Sequence, residues 1–287
     1  MMPFQKILFP VDFSSACEAM APYVREMAHL CTAQVAVLHS FDFVRGYDLA
    51  GRLDPTGEFV PSPIPYDQWA ARLRARREEQ LRSFVREQFP QTVCRAIMED
   101  GDAARIIHGV AQRDGIDLIM LPTKGSGIFR SLLLGSVAAK VLHDVDCAVF
   151  TTVHELDPGR AHSAGFRSIV CAIDPNEGGP AVLKTAGLLA QGCGARLSIL
   201  HLVQGRSQDP PANAGALARD ALAQESEATG ATRVLHDNFV EGIRAAAIEA
   251  SADLVIVGRG QDHSTLPLLR SHLYQIVRQS PCPVLSV

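Results

Sequence analysis

The chain repeats itself. Ser168-Ile-Val-Cys-Ala-Ile-Asp174 restates Lys6-Ile-Leu-Phe-Pro-Val-Asp12, and Leu197-Ser-Ile-Leu-His201 restates Val35-Ala-Val-Leu-His39, each 162 residues further on. The spacing then shortens. Asp253-Leu-Val-Ile-Val257 follows Asp117-Leu-Ile-Met-Leu121 by 136 residues, and Cys282-Pro-Val-Leu follows Cys147-Ala-Val-Phe by 135. Every one of these segments is a short apolar run of the kind that makes a buried strand. A duplicated series of strand and helix units restricts the fold more than any single motif does. A length of 287 residues also exceeds what one core usually organises. The expected division is therefore a first unit over 1–153, a linker over 154–165 that carries Pro158 and two glycines, and a second unit over 166–287. The falling offset means that the second copy lacks most of segment 43–66, where Pro55, Pro61, Pro63 and Pro65 interrupt any regular pattern. That segment reads as a long loop or lid, with Phe43, Tyr47, Phe59 and Tyr66 as apolar surface to pack.

Helical patterns lie between the strands. Residues 17–31 place Met20, Val24, Met27 and Leu30 at helical spacing, and residues 67–89 do the same with Trp69, Leu73, Leu81, Phe84 and Val85. Arg72, Arg74, Arg76 and Arg77 read as the solvated side of that second helix. Residues 93–98 give a third strand, and Gly101-Asp102 leads into a helix over 103–113. Alternation of strand and helix with short loops means an α/β fold, a parallel sheet with helices on both faces.

The segment Leu121-Pro-Thr-Lys-Gly-Ser-Gly-Ile-Phe-Arg-Ser-Leu-Leu-Leu-Gly-Ser136 connects one such strand to a helix over 137–143. Glycines at 125, 127 and 135 let backbone N–H groups turn toward an anion, the helix dipole favours negative charge there, and Ser136 is the expected N-cap. No G-x-x-x-x-G-K-[ST] is present, and Arg130 stands where a G-x-G-x-x-G would need its third glycine. The pattern is Pro122-x-x-Gly125, nine residues, then Gly135-Ser136.

That pattern resembles the G-x-x-G, nine residues, G-[ST] signature of the universal stress protein family, with the first glycine changed to proline. Leu132-Leu-Leu-Gly-Ser-Val-Ala138 and Cys147-Ala-Val149 extend the likeness. The resemblance implies two tandem, doubly wound, parallel five-stranded sheets in strand order 3-2-1-4-5, an adenine nucleotide α-hydrolase-like fold. It implies an adenine nucleotide ligand, ATP or a relative, with or without Mg²⁺ held by phosphates and waters. It also implies pairing through the last strand, which in a tandem chain can join residues 147–152 to 282–287 as an internal pseudo-dimer. A homodimer is the other form of that contact. In the family the aspartate that ends the first strand lies beside adenine and ribose. That role falls on Asp12, with Pro10 and Val11 in the same wall; helix capping is the competing role for Asp12. Ser40 matches the backbone contact to adenine. Leu121, Pro122, Gly125, Gly127, Gly135, Ser136 and Val137 complete the set.

The second copy keeps Asp174, but its loop reads Gly258-Arg259-Gly260, nine residues, then Arg270-Ser271. Arg270 replaces Gly135, so a weak or empty second site is expected. His39 ends a strand alone and reads as a packed, hydrogen-bonded residue. A net charge of −4 gives no sign of nucleic-acid binding, and no apolar run approaches membrane-spanning length. Seven scattered cysteines without a C-x-x-C pair argue for reduced thiols and a cytoplasmic protein, with no metal site. No G-x-S-x-G, H-E-x-x-H or cysteine–histidine signature is present, and no catalytic residue stands out. Three functions stay open: a nucleotide-binding stress-response sensor or modulator, a slow ATP hydrolase, and an interaction scaffold that binds no nucleotide.

Overall fold

The computed structural model describes residues 2–44, 52–53, 59–60, 64–123, 134–152, 165–173, 179–203, 232–236, 238–259 and 268–287. The strands are β1 (Lys6–Pro10), β2 (Gln34–Phe41), β3 (Arg52–Leu53), β4 (Phe59–Val60), β5 (Cys94–Asp100), β6 (Leu118–Pro122), β7 (Ala148–Thr152), β8 (Ser168–Ile173), β9 (Arg196–Val203), β10 (Thr232–His236), β11 (Leu254–Val257) and β12 (Val284–Ser286). The helices are α1 (Ser15–Cys31), α2 (Tyr66–Gln88), α3 (Ala103–Asp114), α4 (Ser136–Asp144), α5 (Gly179–Cys193), α6 (Phe239–Glu249) and α7 (Leu268–Gln279).

Ten strands form one sheet in the order β10-β9-β8-β11-β12-β7-β6-β1-β2-β5. Read inward from each outer edge, each copy has the order 3-2-1-4-5, and within each copy every pairing in this sheet is parallel. The copies meet where β12 pairs antiparallel with β7, Leu285 opposite Phe150. Two hydroxyls make the same contact in each direction there. Thr151 Oγ1 donates to Val284 O at 3.4 Å, and Ser286 Oγ donates to Val149 O at 3.1 Å. The two residues stand 135 apart, the offset of the repeat.

Alternation along the strands splits the apolar side chains between two cores, one on each face. Ile7, Phe9, Val37, Met120 and Phe150 join Cys171, Ile199 and Ile256 on the face covered by α1, α2 and α5. Leu8, Leu38, Ile119, Leu121 and Val149 join Val170, Leu200 and Val255 on the face covered by α3, α4, α6 and α7. Each core therefore runs through both copies. Two aspartates fix the amino edge of the sheet. Asp117 accepts from the N–H groups of Gln5 (2.8 Å) and Lys6 (3.0 Å), and Asp253 accepts from those of Arg167 (2.9 Å) and Ser168 (3.1 Å).

Three expectations change. Segment 43–66 contains a small antiparallel pair, β3 with β4, and Phe43 is buried with its N–H donating to Asp100 Oδ1 at 3.1 Å. Tyr47 and the other residues outside the ranges above lie outside the described residues. Second, α2 buries Leu81 and Phe84, while Trp69, Leu73 and Val85 are half-buried. Third, two of its arginines do more than face water: the Arg74 guanidinium lies 4.9 Å from the centre of the Phe43 ring and that of Arg77 lies 5.3 Å from the Phe41 ring. No helix among the described residues is long and apolar enough to cross a membrane.

Candidate functional site

In an open parallel sheet, ligands bind where the strand order reverses, at the carboxyl ends of the strands. In the first copy that point lies between β1 and β6. A cavity of about 300 Å³ opens there. Pro10, Val11, Asp12, Ser40, Leu121, Pro122, Gly135, Ser136 and Val137 all line it, so nine of the residues singled out in the sequence meet in one place. Gly125 and Gly127 lie outside the described residues. The wall also contains Cys17, Leu38, Ala103, Ile107, Thr123 and Ala138. Ala103 and Ile107 come from α3, which follows β5 and begins at the same edge as the cleft. That chain order is the signal that would have found them.

Asp12 stands just past the end of β1. Its Oδ1 accepts the N–H of Ser14 at 3.0 Å and the thiol of Cys17 at 3.2 Å. Burial first, and the Asp12 charge second, push the Cys17 thiol up to about 12, so sulfur keeps its proton and is the donor. The N-cap of α1 is Ser14, and its side chain makes no capping bond. Asp12 is not the N-cap itself, but it satisfies the N–H of that N-cap and also lines the cleft.

The loop after β6 is closed at its base. Gly135 N–H donates to Thr123 O at 2.8 Å, and Gly135 O accepts the first helical bond of α4 from Ala139 N–H at 2.9 Å. Gly135 is therefore the N-cap, and Ser136 is the first helical residue, a correction of one position. The cause is that closure: the cap backbone is spent on joining the two ends of the loop. The N–H groups of Ser136 and Val137 come before the first helical bond and sit in the cleft wall. Among the described lining residues Asp12 is the single carboxylate, and neither Lys nor Arg is present.

The second copy is built differently at the matching place. Its helix begins at Leu268, two residues before Arg270, where α4 begins one residue after Gly135. Arg259 reaches across to the first copy and donates to Val145 O at 2.8 Å and to Cys147 O. Asp174 lies outside the described residues.

Among the described residues no group of three or more His, Cys, Asp or Glu is arranged to hold a metal ion.

The family model described as "Universal stress protein family" matches residues 3–152 and again 165–287. A universal stress protein of Methanothermobacter thermautotrophicus is 38% identical over 60 residues, which is 21% of this chain and 40% of that protein. One from Thermus aquaticus is 27% identical over 146 residues, 51% of this chain and 96% of that protein. A crystal structure of a universal stress protein from Archaeoglobus fulgidus superposes with a TM-score of 0.72 at 20% identity, covering 98% of this chain and 95% of the other. At that identity it speaks for the fold. With the family model matching both halves and the same strand order in each, the chain belongs to the universal stress protein family, in its tandem two-domain form.

Proposed function

We propose that the chain binds one adenine nucleotide, in the cleft of the first copy, and acts as a sensor or modulator in a stress response. The supporting observation is the composition of that cleft. Val11, Leu38, Ile107 and Leu121 offer apolar walls for a flat base. The Asp12 carboxylate accepts hydrogen bonds and suits ribose hydroxyls. The free N–H groups at the start of α4 suit a phosphate. With no lysine or arginine among the described lining residues, phosphate charge falls to that helix end and to Mg²⁺ carried in with the nucleotide. In this reading β7 and β12 make an internal pair that takes the place of a homodimer. The seven free thiols fit a reducing cytoplasm. Mass spectrometry of small molecules released from freshly purified protein tests the proposal. AMP, ADP or ATP at close to one per chain is expected. Absence of all three, together with no calorimetric binding of any of them, overturns it.

A further inference from the structure

His39 is 5% exposed and lies two residues before the end of β2, beside the cleft, yet it is not among the lining residues. Its Nδ1 lies 2.8 Å from Val11 O. A carbonyl can only accept, so Nδ1 carries the proton and donates. Val11 N–H in turn donates to Leu38 O at 2.8 Å. Val11 is therefore held from both sides by β2, through backbone at its nitrogen and through the imidazole at its oxygen. Two residues on, Phe13 has φ 60. A left-handed aromatic residue is a strained conformation that persists only when its surroundings enforce it. The nearer of the two rings packed on Phe13 is again that of His39, centre to centre 4.4 Å, with the Phe84 ring of α2 edge-on at 5.9 Å. Asp12 sits between these two grips, with its carboxylate in the cleft wall.

We infer that His39 is a positioning residue: it holds the Val11–Ser14 turn in the shape that presents Asp12 to the ligand, an inference that rests on reading the cleft as a nucleotide site. An aliphatic side chain would fill the same space without leaving Nε2 buried and unpaired, as it is here. The second copy supplies a comparison inside the molecule. His201 occupies the same strand position and is fully buried, but among the described residues neither of its ring nitrogens has a partner. Ile173, the counterpart of Val11, receives no bond from His201 among the described residues. The second copy keeps the histidine without the grip.

The arrangement also makes the turn sensitive to acid. Arg77 faces His39 from α2, and Asp12 faces it from the turn; burial is the largest influence and lowers its pKa below 6.5, Arg77 lowers it further, and the bond to Val11 and the Asp12 charge oppose both. The native state thus prefers the neutral ring. Above pH 6.5 the ring is neutral whether folded or not. As the pH falls below 6.5 the unfolded chain takes up the proton first, and the folded turn loses stability until its own lower pKa is passed.

The test uses the full chain with His39→Leu, which fills the space without a donor, and His39→Asn, whose amide can donate from the place of Nδ1. Hydrogen exchange at the Ser14 amide, which bonds to Asp12, reads the turn without any ligand. ATP calorimetry reads the site. His39→Leu should speed Ser14 exchange and weaken ATP binding, each by about tenfold or more, and His39→Asn should restore both to within about threefold. In the wild type, Ser14 exchange corrected for intrinsic pH dependence should rise between pH 7 and about pH 5.5, and in His39→Asn it should not. Unchanged exchange in His39→Leu, or a flat pH profile in the wild type, overturns the inference. Should His39→Leu fail to fold, the pH profile and the asparagine variant decide. If Ser14 responds as expected while the wild type binds no adenine nucleotide, the nucleotide reading fails and the positioning role stands.

Discussion

Pro122 ends β6 opposite Thr152 and lines the cleft without an N–H to offer. Gly135, across the loop base, gives its N–H to Thr123. Two positions that could serve a phosphate are thus silent. Pro122→Gly should restore one donor and tighten ATP binding by roughly 0.5–1.5 kcal/mol in calorimetry; an unchanged or weaker Kd would show that the proline belongs to a working site. Asp12 was legible because a carboxylate closing an apolar run falls at the carboxyl edge of a parallel sheet. Cys17 was not legible as part of the site, since its role lies in a 3.2 Å contact that depends on the turn geometry. Nor was the stacking of Arg74 and Arg77 on Phe43 and Phe41, because helical spacing alone does not say which rings the helix covers. The thiols make a second residue-scale prediction. Burial raises Cys17 and Cys171 to about 12, and Cys31, Cys94 and Cys147 to about 11, from 9.0. Their contribution is intact below pH 9.0 and declines above it, as the unfolded chain ionises first. A melting temperature that drops more steeply above pH 9 than in a Cys17→Ala, Cys171→Ala variant, with slow alkylation of these thiols in the native state, is the expected result.

At the scale of elements, α4 carries the clearest prediction. Its first turn walls the cleft, and the Gly135 N–H closes the loop base on Thr123 O. Gly135→Arg imports the residue of the second copy, whose helix starts earlier along the chain. Calorimetry should give one ATP per wild-type chain and none in this variant; two equal sites, or one that survives the substitution, would contradict it. Most elements were legible because β1, β2, β6, β8, β9 and β11 are apolar runs bounded by polar residues. β10 was not located, since Thr232-Arg-Val-Leu-His236 is too polar and short to stand out. β3 and β4 went unseen among prolines and glycines for a related reason: a two-residue strand has no period to detect.

At the scale of the whole molecule, the two copies are related by approximate two-fold symmetry, but the residues at the axis are unlike. On one face Gly192 of α5 meets Leu30 of α1, its counterpart 162 residues earlier, and a Cβ at Gly192 would lie 2.8 Å from Leu30 Cδ1 and 3.0 Å from Met2 Cε. On the other, Tyr274 Oη donates to Ala139 O at 2.9 Å, again across counterparts. Large faces small on both sides, which suits pairing between unlike halves better than pairing between like ones. Arg259 completes the junction by satisfying carbonyls beyond the C-terminus of α4. Arg259→Ala leaves those carbonyls without the guanidinium and should destabilise the chain by about 1–3 kcal/mol in denaturant unfolding, with the midpoint shifted and a single transition kept. A second transition would mean that the halves unfold separately. Because β12 runs opposite to β7, the rims at which β6 and β11 end look away from each other across a shared plate. A body resting on the far rim and a ligand filling the cleft never compete for room. Between the two rims lies α4, whose first turn lines the cleft and whose last residue is followed by the carbonyls that Arg259 holds.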